Sequence, residues 1–291
     1  MKSVLFNIFE GRFLFTRRAL IGFTYKKSAL FGTLLLFAVV LFCLFGPLFS
    51  SYSYYEIHLE LKNMAPSPSF WFGSDELGRD VFTRVWMGGR ISLFVGICAA
   101  VIDLIIGVAW GAVAGIYGGI IEETMMRLTD VLHGIPYLLT VILLMVLLGP
   151  GLSSILIALT LTGWINMARI VRSHILQLKE ADFIYAAKAA GASYRRIIFK
   201  HLIPNTAGPI VATMMLSIPV AIFSEAFLSF LGLGVQAPVA SWGVMINDSL
   251  PAMRYYPWRL FFPGLLIVLT MLSFHLIGEG MQEAFNPRKM P

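Results

Sequence analysis

The chain has 291 residues, of which 58% are hydrophobic and 13% charged, whereas soluble globular proteins carry roughly 25% charged residues. Its apolar residues come in long uncharged blocks rather than at amphipathic spacing, and mean hydropathy is +0.79, which argues for the bilayer as solvent and against a large buried α/β core. The formal charge of +6 then reports membrane topology, and no nucleic-acid partner is expected.

A basic leader precedes the first uncharged block, Ala29–Phe49, which has about the 20 residues that a helix needs to cross a hydrocarbon core. The block is longer than the apolar stretch of a cleavable signal peptide, so an uncleaved first span is expected. A polar segment, Ser50–Arg90, leads to a second apolar stretch, Ile91–Ile121, interrupted only by Asp103. There Gly107, Gly111 and Gly115 fall on one helical face, a small-residue stripe suited to close helix packing. No Asp, Glu, Lys or Arg occurs between Val131 and Ala168, and Gly149-Pro150-Gly151 divides that stretch into the expected hairpin of spans three and four. Span five is expected at about Asn205–Gly232, with Pro209 and Pro219 inside it, and span six at Leu260–Gly278. Cys43 and Cys98 lie inside apolar blocks without metal-ligand spacing and read as structural, so no metal site is expected. The expected fold is an all-α membrane protein of six transmembrane helices. Residues 1–90 hold the leader, first span and an external loop, and 91–291 a five-helix core with a cytoplasmic loop at about 171–205.

With both termini in the cytoplasm, 16 of the 22 Lys and Arg residues fall in cytoplasmic segments and 6 outside, as the positive-inside rule requires. The leader contributes Lys2, Arg12, Arg17, Arg18, Lys26 and Lys27, and the segment after span four Arg169, Arg172, Lys179, Lys188, Arg195, Arg196 and Lys200. The two long segments left outside, Ser50–Arg90 and Leu233–Arg259, either offer surface to an external partner or cap the helices.

The cytoplasmic stretch Glu180–Asn205 reads as helix, glycine stop, helix. Ala186, Ala187, Ala189 and Ala190 are strong helix formers, Gly191 can adopt the left-handed conformation that ends a helix, and Ser193 can cap the next one. Pro204 fixes the entry to span five. A short helix with Arg195, Arg196 and Lys200 on one side suits either a groove on another protein or an anionic lipid surface.

This stretch, with its paired alanines, Gly191 four residues later and terminal Pro204, resembles the EAA loop of ABC importer permeases, and His201-Leu202-Ile203-Pro204-Asn205 is similar to the loop ending of the C-type subunits of the dipeptide, oligopeptide and nickel group. Phe72 to Leu93, Glu225 to Gly243 and Pro263 to Arg288 resemble the same group, so the likeness runs nearly the full length. Tyr185 departs from it, standing where a glutamate usually precedes the two alanines, and Glu180, five positions earlier on one helix, would point about 140° away. His275, Glu279 and Asn286 also replace more usual residues.

The resemblance implies the type I ABC importer architecture in a bacterial inner membrane. It also implies a second homologous permease, two cytosolic ATPase subunits that bind ATP and Mg, and an extracytoplasmic substrate-binding protein. Coupling is then expected through Ala186, Ala187, Gly191, Ser193, Arg195, Arg196, His201 and Pro204. The chain itself contains no Gly-Lys pair and so no P-loop, and no Gly-x-Ser-x-Gly or His-Glu-x-x-His, so neither a bound cofactor nor catalytic residues are expected. Peptide is the expected cargo, with nickel or another small solute as the alternative. Asp103, Glu225, His133 and His275 lie in or near apolar spans, where ionisable groups are costly; a proton-coupled secondary transporter, the rival reading ranked below the ABC permease, would use such residues. Glu225, Ser229, Gly232 and Gly234 are the expected lining of a pathway.

Overall fold

The structure is a computed structural model that describes residues 22–236 and 238–285. Lys2, Arg12, Arg17, Arg18, Asn286 and Arg288 lie outside the described residues. Every regular element among those described is helical.

Helix α1 (Lys27–Phe45), closed by a 3-10 turn at Gly46–Phe49, is the first expected span. Helix α2 (Val81–Tyr117) starts a full ten residues before the expected Ile91. Asp80 accepts from the amides of Phe82 and Thr83 at 3.3 and 3.1 Å, satisfying donors that a helix N-terminus leaves open. Arg84 and Arg90, whose charges set the expected start, are both compensated. Arg84 Nε lies 3.3 Å from Asp75, and Arg90 donates to the carbonyls of Cys43 and Leu44 at 2.6 and 2.9 Å. Those carbonyls are the open C-terminal end of α1, where the helix dipole favours a cation. The 90/91 division thus falls inside a continuous helix. At its far end α2 stops at Tyr117 rather than Ile121, because Gly118 takes a φ of +68°.

The expected third span is not one helix. Helices α3 (Gly119–Gly134) and α4 (Tyr137–Leu148) are bent by 79° relative to each other. Pro136 disfavours helical geometry in the residue before it, and Ile135 is accordingly extended at φ −79°, ψ 129°. With 12 residues, α4 is about 18 Å long, too short to cross a bilayer alone. Among the described residues five helices are long and apolar enough to span, and the bent pair brings the count to six where it is taken as one broken span.

After the Gly149-Pro150-Gly151 turn, α5 (Leu152–Lys179) runs well past the apolar boundary at Ala168. Short helices α6 (Asp182–Ala189) and α7 (Tyr194–Ile197), a π-helical turn at Ile198–Leu202 and α8 (Ile203–Asn205) then lead into α9 (Ala207–Phe230). A short α10 (Trp242–Ser249) precedes the last span, α11 (Trp258–Ala284).

The most extensive helix pair is α2 with α5, and the glycine stripe makes it. A Cβ at Gly107 would meet Met167 at 2.6 Å, one at Gly111 would meet Val171 at 2.9 Å, and one at Gly115 would meet Ile175 at 2.9 Å. Helix α1 packs on α11, and α9 bridges α11 and α2. Large apolar side chains such as Phe37, Leu143, Val146 and Val268 remain exposed along the spans, as helices facing lipid require. At the face opposite α6 to α8, Ser50–Asp80 folds into a cap on α10 and α11. Arg79 Nε pairs with Asp75 at 2.7 Å, Arg259 pairs with Glu76, and Arg259 Nη2 donates to the Asp248 carbonyl at 2.9 Å.

Gly111→Val forces the α2–α5 seam apart and should cost about 1–3 kcal/mol, read as a lower melting midpoint in detergent. Gly134→Ala, with nothing within 4 Å of its new methyl, should leave that midpoint unchanged.

Candidate coupling elbow and membrane cavity

The segment after α5 forms an elbow. Gly191 has a φ of +76°, and the Ala192 amide returns to the Ala187 carbonyl at 3.0 Å, so α6 ends in the left-handed closure that only glycine adopts without strain. Ser193 then caps α7, its hydroxyl accepting from the Arg196 amide at 3.4 Å. The inner side of the elbow is apolar: Ile184, Ile197 and Leu202 are buried against Val171 and Ile175 of α5 and Ile210 of α9. Its outer side presents Tyr185, Tyr194 and Phe199, 51%, 65% and 65% exposed, with Ala186, Arg195 and Arg196 also exposed. Ala187, His201 and Pro204 are half-buried, and Asn205 Nδ2 donates to the His201 carbonyl at 2.5 Å.

Tyr185 and Glu180 meet, contrary to the expectation from a helical wheel. The phenol donates to Glu180 Oε2 at 2.6 Å. The wheel fails because α6 begins only at Asp182, leaving Glu180 beyond the end of α5 and free to fold back. That hydrogen bond and the carboxylate's charge push the Tyr185 phenol above its ordinary range.

The four residues expected to line a pathway do not share one surface. Glu225 is fully buried. The hydroxyls of Ser92 and Ser229 donate to its two oxygens at 3.3 and 2.8 Å. Ser92 also accepts from the Trp242 amide at 3.2 Å, and Trp242 Nε1 donates to the Val85 carbonyl at 2.8 Å. Glu225 is thus a knot joining α2, α9 and α10, solvated by serines in place of a basic partner. Ser229, Gly232 and Gly234 instead border a pocket of about 250 Å³ at the cap face, with Arg79, Arg84 and Asp248.

A larger cavity, about 580 Å³, opens between α2, α5, α9 and the α3–α4 bend. Asp103 and His133, both flagged by the sequence, lie on its wall, joined by Tyr137, Thr162, Asn166, Thr213 and Ser217. The last four pass unnoticed as single neutral residues in apolar spans. Their spacing is the signal, since Thr162–Asn166 and Thr213–Ser217 are each i, i+4 pairs on one helical face. His275 is not in the cavity and lies 3.1 Å from Glu279, near the Lys26–Glu283 pair of 3.1 Å. Among the described residues no three His, Cys, Asp or Glu side chains gather as metal ligands.

A sequence profile described as "Binding-protein-dependent transport system inner membrane component" matches residues 107–291, which include the whole elbow and the α5 and α9 walls of the cavity. The chain belongs to that family. A second profile, "N-terminal TM domain of oligopeptide transport permease C", matches residues 15–66. The oligopeptide transport system permease protein OppC of Bacillus subtilis is 51% identical over 93% of this chain and 88% of its own length. The dipeptide transport system permease protein DppC of the same organism is 54% identical over 90% and 82%, and OppC of Escherichia coli K12 is 37% identical over 96% and 93%. The chain is accordingly a multi-pass inner-membrane permease of the type I ABC importer fold.

In such a permease the Glu225 knot ties the cap face to the membrane core. Replacing both Ser92 and Ser229 with Ala leaves the carboxylate only the Ser241 hydroxyl and should cost about 1–3 kcal/mol per lost donor, read as detergent melting. Glu225→Gln should cost less than the double serine variant, because a neutral amide needs less solvation.

Proposed function

We propose that this permease forms half of the path by which an ATP-driven importer carries dipeptides or oligopeptides across the inner membrane. Cytosolic ATPase subunits, which bind ATP and Mg, supply the energy through the elbow. A second, homologous permease completes the path, and an extracytoplasmic binding protein delivers the cargo to the cap face. The relatives' peptide substrates support the choice of cargo.

One observation carries the coupling role: the elbow is apolar on its inner side, fixed to α5 and α9, and aromatic and basic on its outer side. Exposed aromatic side chains beside arginines are the composition of an interface core. Because Ile184, Ile197 and Leu202 clamp the inner side, a push on the outer side is delivered to the ends of two spans. ATP-driven closure of the ATPase pair then rocks α5 and α9 as rigid bodies.

The same outer side would also suit anionic lipid, and substitution separates the two roles. Gly191→Val or Arg195→Glu in the assembled transporter should reduce peptide uptake about tenfold or more, the weight of one interface hot spot, and uncouple ATP hydrolysis from substrate. Unchanged uptake and unchanged substrate-stimulated hydrolysis would assign the elbow to the lipid surface. For orientation, a cysteine at Ser193 should react only with reagents admitted to the cytoplasm, and one at Ser69 with impermeant reagents from outside; both positions are exposed.

A further inference from the structure

We propose that the cavity beside the α3–α4 bend is a transit site for a primary ammonium group, held there by the carboxylate of Asp103. The proposal rests on the chain's being half of a solute path and names the chemistry which that path receives.

Asp103 stands near the middle of α2 and is 8% exposed. It lines the cavity, yet its Oδ1 has no hydrogen-bond partner, and no charged neighbour offsets its burial. Other ions near the spans have a partner in the chain. Glu225 has its serines, Arg84 has Asp75, and Arg90 has the α1 carbonyls. An uncompensated carboxylate at this depth is costly, and the counter-charge missing from the chain is one that an incoming solute can bring.

The surroundings define that solute. A Cβ at residue 163 would meet Asp103 Oδ1 at 2.8 Å and Cγ at 2.9 Å, so Gly163 leaves the carboxylate its space at the wall. Thr162 and Asn166 on α5 and Thr213 and Ser217 on α9 add neutral hydrogen-bonding groups, between apolar surfaces from Leu159 and Val220. About 580 Å³ falls within the several hundred Å³ usual for a small-molecule site. With His133 at the bend, one anion, neutral donors and acceptors, and apolar walls complement a small solute with an ammonium, amide groups and apolar side chains. A peptide's N-terminal amine and a lysine side chain share that chemistry.

The test uses the assembled transporter in membrane vesicles, with Cys43 and Cys98 replaced by alanine and Ser217→Cys as reporter. Its modification is timed with cationic (trimethylammonium) and anionic (sulfonate) methanethiosulfonates. With Asp103 present, the cationic reagent should react about tenfold faster or more, relative to the same pair on a free thiol, because a cleft of one charge concentrates counter-ions. Asp103→Asn should abolish the preference. Gly163→Ala, which displaces the carboxylate without neutralising it, should reduce it, so the reading survives if one variant fails to assemble. Trialanine protecting the thiol while N-acetyl-trialanine amide does not identifies the N-terminal amine as the group held, and protection by N-acetyl-lysine amide identifies the side-chain amine. A charge preference that persists in Asp103→Asn, or no modification by either reagent, overturns the proposal. A preference that depends on Asp103 but is untouched by any peptide upholds the ammonium site and overturns the peptide assignment.

Discussion

The close approach of α2 and α5 is the constraint on which the other features depend. In lipid no hydrophobic effect drives one apolar helix against another, so association relies on van der Waals contact and on backbones coming near enough to make it. Gly107, Gly111 and Gly115 give α2 a surface without side chains, against which Met167, Val171 and Ile175 of α5 lie flat. Asp103 is one step further along the same four-residue stripe, and there the glycine switches helix: Gly163 on α5 makes the space and α2 supplies the side chain. The stripe that closes the seam therefore also delivers a carboxylate to the point where the seam opens into the cavity. Toward the other end, the seam fixes where α5 leaves the membrane. Arg172 pairs there with Glu122 of α3, its Nε lying 2.7 Å from Glu122 Oε1, and the elbow starts from a held position.

From the elbow to the cap face runs a continuous set of tight contacts. The elbow's last helix passes into α9 with a single residue between them, and the Thr206 hydroxyl there donates to the Ile203 carbonyl at 2.8 Å. Helix α9 carries Glu225, which reaches α2 through Ser92 and α10 through the Ser92–Trp242 hydrogen bond. The irregularity in this path is the π-helical turn at Ile198–Leu202, placed between the exposed elbow and the membrane-embedded α9. Such turns weaken the local hydrogen-bond ladder and recur at functional positions. Here one would let the elbow tilt while Leu202 stays packed in the apolar cluster with Ile175 and Ile210.

The sequence discloses what is decided locally and hides what is decided by remote partners. Five long apolar stretches, broken by no more than a lone carboxylate, announce five spanning helices, and Gly191 with Ser193 announces the elbow, because length, glycine and caps act within a few residues. The start of α2 is hidden, since Arg84 and Arg90 look like a boundary until Asp75 and the ends of α1 are seen to receive them. The bend at Ile135-Pro136 is hidden by uniform hydrophobicity, although Pro136 itself is visible. Glu225 invites a place on a pathway because a carboxylate in a span is costly, but Ser92 is far from it in the chain, and only the folded helices show serines meeting that cost.

Tyr185 shows the same distinction at the scale of one side chain. Where the resembling loops carry a glutamate, this chain has a phenol, and helical geometry alone would leave the elbow without a carboxylate there. Glu180 supplies one from outside the helix: its Oε2 lies 2.6 Å from the Tyr185 hydroxyl, and both residues are exposed. A phenol keeps its proton at neutral pH in any case, and the carboxylate moves Tyr185 further in that direction, so the donor persists. The pair presents a negative group backed by an aromatic ring beside Ala186, on the side of the elbow that faces away from the spans. If the elbow docks as proposed, a groove shaped for a glutamate would meet the same charge here, carried by a residue that belongs to the end of α5 rather than to α6, so a displacement of the elbow relative to α5 would break the Tyr185–Glu180 contact and be felt at that charge.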